Sequence, residues 1–134
     1  LAPIFFIDLY KKERIGKTME NIKHLDKLMK KHGDKVYTIW TAPDDAIYIG
    51  RGSEFGNPFA MKDKSENERL RVCMEYENYL REKIKTDEKF REMVKNLKGK
   101  NLKCFCSNGK TSRKAGGRWC HGHILLEYAE LLNK

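Results

Sequence analysis

Val36-Tyr37-Thr38-Ile39-Trp40-Thr41 and Ala46-Ile47-Tyr48-Ile49 are two short β-branched and aromatic runs held apart by Ala42-Pro43-Asp44-Asp45. The runs have strand composition, and proline followed by two aspartates has the composition of a turn. The reading is a β-hairpin, with Trp40 as core or hairpin packing and base stacking as the other reading of that side chain. The second strand runs straight into Gly50-Arg51-Gly52-Ser53-Glu54-Phe55-Gly56-Asn57-Pro58-Phe59. Glycine serves where the backbone must approach another group closely, and a turn of this kind can aim amides at an anion while Arg51 neutralises its charge. Gly50, Arg51, Gly52, Ser53, Gly56 and Asn57 are therefore the expected ligand-binding residues, supported on the hairpin rather than on a free tether.

Outward from this loop the pattern becomes helical. Met19, Ile22, Leu25, Leu28 and Met29 recur at three- and four-residue spacing between Thr18 and Lys31, with Gly33 placed as a C-terminal cap. His24 and His32 in that segment read as surface or helix-end residues. A capping box, Ser65-Glu66-Asn67-Glu68, opens a second helix whose inner positions are Leu70, Val72, Cys73, Tyr76, Tyr79, Leu80 and Ile84, with Cys73 as ordinary core. A third starts at Thr86, buries Phe90, Met93, Val94 and Leu97, and ends at Gly99. Ile4 to Tyr10 reads as a buried strand, Asn101 to Cys106 as another, and His123 to Asn133 as a last helix with Ile124, Leu125, Tyr128, Leu131 and Leu132 on its apolar side.

Strand alternation puts Cys104 and Cys106 on one face, and Cys120-His121-Gly122-His123 can return to meet them. Three thiols and an imidazole form a Cys₃His set of the kind that holds zinc, with Cys104, Cys106, Cys120 and His121 as ligands and His123 as the alternative imidazole. Two other readings stay open. One is a reactive thiol at Cys106 or Cys120, activated by a helix N-terminus and a neighbouring imidazole. The other is plain packing of small buried thiols.

Between the two cysteine groups, Ser107 to Trp119 carries Lys110, Arg113, Lys114 and Arg118 and no acid. These four, with Trp119 to stack on a base, are the expected nucleic-acid contacts, against the alternative of a surface insertion. The whole chain has 28 Lys and Arg against 19 Asp and Glu, a net charge of +9 and a pI near 9.4. That balance favours phosphate-rich partners, although lysines mixed with glutamates along helices also make ordinary solvated faces. No apolar run approaches the roughly 20 residues that span a bilayer, and Leu1 to Leu9 holds Pro3 and Asp8 without a basic leader. The expectation is a soluble, cytoplasmic chain of 134 residues forming one domain, its cysteines kept as thiols or metal ligands.

Taken together, Ile47-Tyr48-Ile49-Gly50-Arg51-Gly52-Ser53, Phe55-Gly56-Asn57-Pro58-Phe59, Cys104-Phe105-Cys106 and Cys120-His121-Gly122 resemble an uncharacterised domain-of-unknown-function family common in bacteriophages and bacteria. Its usual signature is Tyr-Ile-Gly-Arg-x-Ser-x-Trp-Gly-Asn-Pro-Phe, then Cys-Trp-Cys and Cys-His-Gly-Asp. The likeness covers about Val36 to Leu132 and implies that Gly50, Arg51, Ser53, Gly56, Asn57, Pro58, Cys104, Cys106, Cys120 and His121 belong to one site region. It implies no established activity. Phe55 and Phe105 stand where tryptophan is usual, and His123 stands where aspartate is usual, which removes a carboxylate from any acid/base role. Residues 1–34 and the basic loop at 107–119 look like additions to the common pattern.

The expected fold is α/β: a small mixed sheet with the Val36 to Ile49 hairpin and the strand ending at Cys106, packed by three to four helices. Two functional readings follow. In the first, the domain binds a phosphate ligand and acts on a nucleotide or nucleic acid, with Arg51, Asn57, Cys106, Cys120 and His121 as candidate catalytic residues and zinc as the candidate cofactor. In the second, a non-catalytic phage accessory protein grips nucleic acid, a nucleotide signal or a host protein in the host cytoplasm, and its cysteines hold a purely structural zinc. Neither composition nor spacing fixes an oligomeric state.

Overall fold

Pairing in the sheet differs from the hairpin expectation. In the computed structural model, which describes residues 18–105 and 119–134, three strands line up in the order β1-β3-β2, with β1 Val36–Thr38, β2 Ile47–Tyr48 and β3 Leu102–Cys104. Both outer strands run parallel to β3: Val36 lies level with Leu102, Thr38 with Cys104, and Ile47 also with Leu102. The turn foreseen at Pro43 exists, since the Ala46 amide donates to the Pro43 carbonyl at 3.1 Å. A second turn precedes it, from the Thr38 carbonyl to the Thr41 amide at 3.2 Å. Two turns in succession carry the chain across the space that β3 fills, so β1 and β2 never meet. Trp40 rides on the first turn and is 63 % exposed, not core.

The described residues form four helices, α1 Thr18–His32, α2 Glu66–Thr86, α3 Glu88–Lys95 and α4 His121–Leu132, of which α4 packs on β3. A short 3₁₀ turn, Gly33–Lys35, joins α1 to β1. Ser65 caps α2, its hydroxyl accepting the Glu68 amide. The return half of the expected box is rearranged: Asp63 accepts the Ser65 amide and Glu68 instead accepts the Lys62 amide. Asp87, rather than Thr86, caps α3 through the Phe90 amide.

Helix α4 is buried around its circumference from His121 to Ala129, not along one side, because α1, α2, α3 and β3 all pack on it. Its mean composition is apolar enough for that placement, and a helix hydrophobic on all faces belongs in the interior. Gly122 permits the close approach to the sheet: a Cβ there would lie 2.9 Å from Ile49 and 3.1 Å from Val36.

His24 and His32, expected at the surface or at helix ends, are both buried, although His32 does close α1. His24 Nε2 donates to Glu77 Oε1 at 2.9 Å, and the Tyr128 hydroxyl donates to Glu77 Oε2 at 2.6 Å. Arg81 approaches the same carboxylate at 3.8 Å and also contacts Tyr128 and Asn78. Glu77 is 1 % exposed, so this network bolts α1, α2 and α4 together inside the core. The expected strand Ile4 to Tyr10 lies outside the described residues.

Candidate functional site

Parallel strands all end on one side, and the loops leaving them share that side. Ligands of open parallel sheets bind outside these carboxyl ends, where the strand order changes direction. Here β3 is the pivot, and a cleft of about 780 Å³ opens beyond it. Its walls come from the loop after β2 (Gly50, Arg51, Asn57, Phe59), from Met61 to Lys64 ahead of α2, from Arg69, Val72 and Cys73 on α2, and from Cys104, Phe105, Trp119, Cys120 and His121. The two motifs that are far apart in sequence thus face the same space.

The glycine loop is internally tied. Ser53 donates both its amide, at 3.1 Å, and its hydroxyl, at 2.7 Å, to the Gly50 carbonyl, and the Phe55 amide returns to the Ser53 oxygen. Asn57 spends its amide likewise, donating to the Val72 carbonyl at 3.1 Å and accepting the Phe59 amide at 2.9 Å. Tyr76 reaches the Phe55 carbonyl at 2.7 Å. Ser53 and Asn57 therefore build and anchor the loop rather than offer free groups, and the Ser53 amide does not point at an anion.

Arg51 is exposed on the cleft, and Lys62, Lys64 and Arg69 line it as well, against Asp63 as the one acid among the described lining residues. Arg69 went unnoticed in the sequence, although its place in the first turns of α2, on the side of Cys73, was legible. Gly56 keeps the loop closed on itself, because a Cβ there would sit 2.8 Å from the Gly50 carbonyl oxygen. Gly56→Ala should cost about 1–3 kcal/mol of stability by overpacking, measured by denaturant unfolding. A variant as stable as the parent would mean that this contact is not tight.

At the other wall Cys104 Sγ lies 3.1 Å from Cys120 Sγ, and Cys120 Sγ lies 3.8 Å from His121 Nδ1. Cys120 caps α4, its sulfur accepting the Gly122 amide at 3.3 Å, an arrangement that favours negative charge on the sulfur. His121 Nε2 donates to the Ile49 carbonyl at 2.7 Å, which leaves Nδ1 turned to the thiol. The ring also meets Tyr76 edge-on, with centroids 5.0 Å apart. Burial alone would lower the His121 imidazole, but the adjoining Cys120 sulfur, the charge on Cys104 and the Ile49 carbonyl raise it to about 9.

His123, the alternative ligand, accepts the Cys120 amide on Nδ1 at 3.2 Å and so closes the helix cap. Cys73 is buried, and desolvation drives its thiol far above the ordinary range, so it stays protonated core as expected. Trp119 is 9 % exposed and donates its indole N–H to Asp26 at 2.7 Å, which makes it a wall of the cleft instead of an open stacking platform. Cys106, Lys110, Arg113, Lys114 and Arg118 lie outside the described residues.

A second group with metal-ligand chemistry was not foreseen. His32, Glu127 and Glu130 have their ligand atoms within 4.8 Å of one another. The Lys31 ammonium sits there already, 3.1 Å from Glu127 and 2.9 Å from Glu130, while His32 lies 2.9 Å from Glu127. A cation is thus supplied by the chain itself. Among the described residues no helix is long and apolar enough to cross a membrane.

The family model described as Domain of unknown function (DUF4326) matches residues 29–131. No curated protein and no solved structure matches the chain.

Proposed function

We propose, for a chain that belongs to the DUF4326 family, that the cleft binds a phosphate-bearing ligand, a nucleotide or nucleic acid, and acts on it through the Cys/His cluster. The observation that carries this reading is the convergence of Arg51, Lys62, Lys64 and Arg69 with Cys104, Cys120 and His121 on one concave surface. Among the described lining residues, four cations against one carboxylate favour an anion, and the concave walls strengthen each contact. Arg51 is the group suited to forked contact with phosphate oxygens, and Arg69, whose Nη1 donates to the Trp119 carbonyl at 3.4 Å, adds its charge beside it.

Two thiols and an imidazole are donor types that zinc takes. Two thiols lie side by side, and His121 donates Nε2–H to a backbone carbonyl, the outer-sphere contact that orients a ligating imidazole. Cys104, Cys120 and His121 would hold the ion, with Cys106 as the remaining candidate ligand. A zinc with an open position would supply a Lewis acid and an activated water; a closed set would be structural. A second reading is favoured by one observation, the burial of both sulfurs and of His121: a closed structural zinc in a non-catalytic binding module, with the ligand held by the cations alone. Free thiols or metal-bound thiolates both suit a reducing compartment, the cytoplasm, or the host cytoplasm for a viral chain.

Arg51→Ala tests the ligand assignment. The side chain is exposed, so folding should change by no more than about 0.5 kcal/mol, whereas pyrophosphate binding measured by calorimetry should weaken by more than about 1 kcal/mol. Unchanged binding would remove Arg51 from the site. Parallel loss of folding and binding would make it a structural residue.

A further inference from the structure

Three aromatic side chains stand at the carboxyl ends of the three strands: Trp40 beyond β1, Tyr48 at the end of β2 and Phe105 beyond β3. Trp40 and Phe105 are 63 % and 52 % exposed, unusual for rings of that size. They are not loose. Phe105 meets Trp40 edge to face with centroids 5.5 Å apart, and meets Tyr48 in the same manner at 6.3 Å. The Tyr48 hydroxyl donates to the Arg51 carbonyl at 3.0 Å, so the aromatic group is tied to the cationic loop. Tyr48 and Phe105 line the same cleft as Arg51 and Arg69.

We infer that this aromatic cluster stacks an unpaired nucleobase whose phosphate lies against Arg51 and Arg69. The inference rests on the phosphate reading above and narrows its ligand to one that carries both a phosphate and an accessible base face. Solvent-facing aromatic surface costs free energy unless something covers it, and every base offers a π-face that gains by doing so. The concavity and size of the cleft suit a nucleotide unit. A paired base is excluded because its faces are already stacked within the duplex. The unpaired base can come from a free nucleotide or from a single strand.

The test is calorimetric titration of the full chain with ribose 5-phosphate, a nucleoside 5′-monophosphate, a short single-stranded oligonucleotide and the matching duplex. The same ligands are then titrated against Trp40→Ala and Phe105→Ala. Both rings are largely exposed, so the variants should keep the parent's unfolding midpoint, which is measured alongside. The base-bearing ligand should bind about tenfold or more tighter than ribose 5-phosphate, and each substitution should remove most of that advantage while leaving ribose 5-phosphate binding unchanged. Saturation by the mononucleotide alone would identify a free nucleotide as the source, and tighter binding of the oligonucleotide a single strand. Equal affinity for ribose 5-phosphate and the nucleotide, with no effect of either substitution, would overturn stacking and leave the phosphate reading standing. Preference for the duplex would also overturn it. Failure of all four ligands, ribose 5-phosphate included, would take the phosphate reading down together with this one.

Discussion

Glu77→Ala is expected to destabilise the fold by about 3–5 kcal/mol, read as a lowered denaturation midpoint, because it strips the shared acceptor from a buried charged network. His24, Tyr128 and Arg81 all face that carboxylate, and none of the four side chains has solvent to fall back on. Burial pushes the Glu77 carboxyl up, yet the hydrogen bond and charge of His24, the Tyr128 hydroxyl and the charge of Arg81 outweigh it and hold the group below its ordinary value of 4.5. The sign of the linkage follows. A carboxyl lowered in the folded state contributes its full stability above 4.5 and loses it as the pH falls through the lower folded value. Parent protein should therefore weaken in acid through this group, and Glu77→Gln should show a flatter pH dependence in that range. A Glu77→Ala variant within about 1 kcal/mol of the parent would mean that the network is not coupled to global folding.

Removing the proposed metal should have an effect of similar size. Protein purified without chelator is expected to carry about one zinc per chain, and stripping it should lower the melting temperature by roughly 10 °C or more. Cys120→Ala should abolish the metal and also cost α4 its sulfur cap, whereas Cys73→Ala should retain the metal and lose only core packing. Metal content by mass spectrometry and native thiol alkylation read both variants. Absence of zinc with rapid alkylation of Cys104 or Cys120 would sink the metal reading and turn attention to thiolate chemistry.

Helices were legible from the sequence wherever a local device set their limits. Ser65 accepts the Glu68 amide as its place in the capping pattern requires, and the apolar stripe of α2 runs through the residues expected of it. That the glycine loop and Cys104, Cys120 and His121 line one cleft was implied by the family resemblance, whereas composition and spacing alone left open whether the two motifs meet. Strand pairing was not. Strands of two and three residues carry almost no pattern, and the turn at Pro43 reports the local backbone without saying which strand lies alongside.

The buried charges were missed for a different reason. Glu77 falls four residues after Cys73 on the inward stripe of α2, so periodicity points to burial while its charge points to solvent. Its partners are 53 and 51 positions distant, and only tertiary structure reveals them. Ser53 and Asn57 illustrate the converse: side chains suited to gripping a ligand were already committed to the loop that carries them. Trp40 reads as core or hairpin packing, with base stacking as the other reading, and only the displaced course of the chain around β3 puts it in solvent.

The central position of β3 bears on how the protein emerges during synthesis. β1 and β2 have no native contact with each other as strands, and the residues that join them lie more than 50 positions downstream of β2. A nascent chain that stops short of Leu102 exposes two unpaired strand edges and lacks the helix around which α1, α2 and α3 assemble. Such edges are sites of association between unfinished chains. Formation of this sheet and of the core around α4 therefore waits for the segment from Leu102 to Leu132, and residues 18–95 do not stand as a folded unit before it.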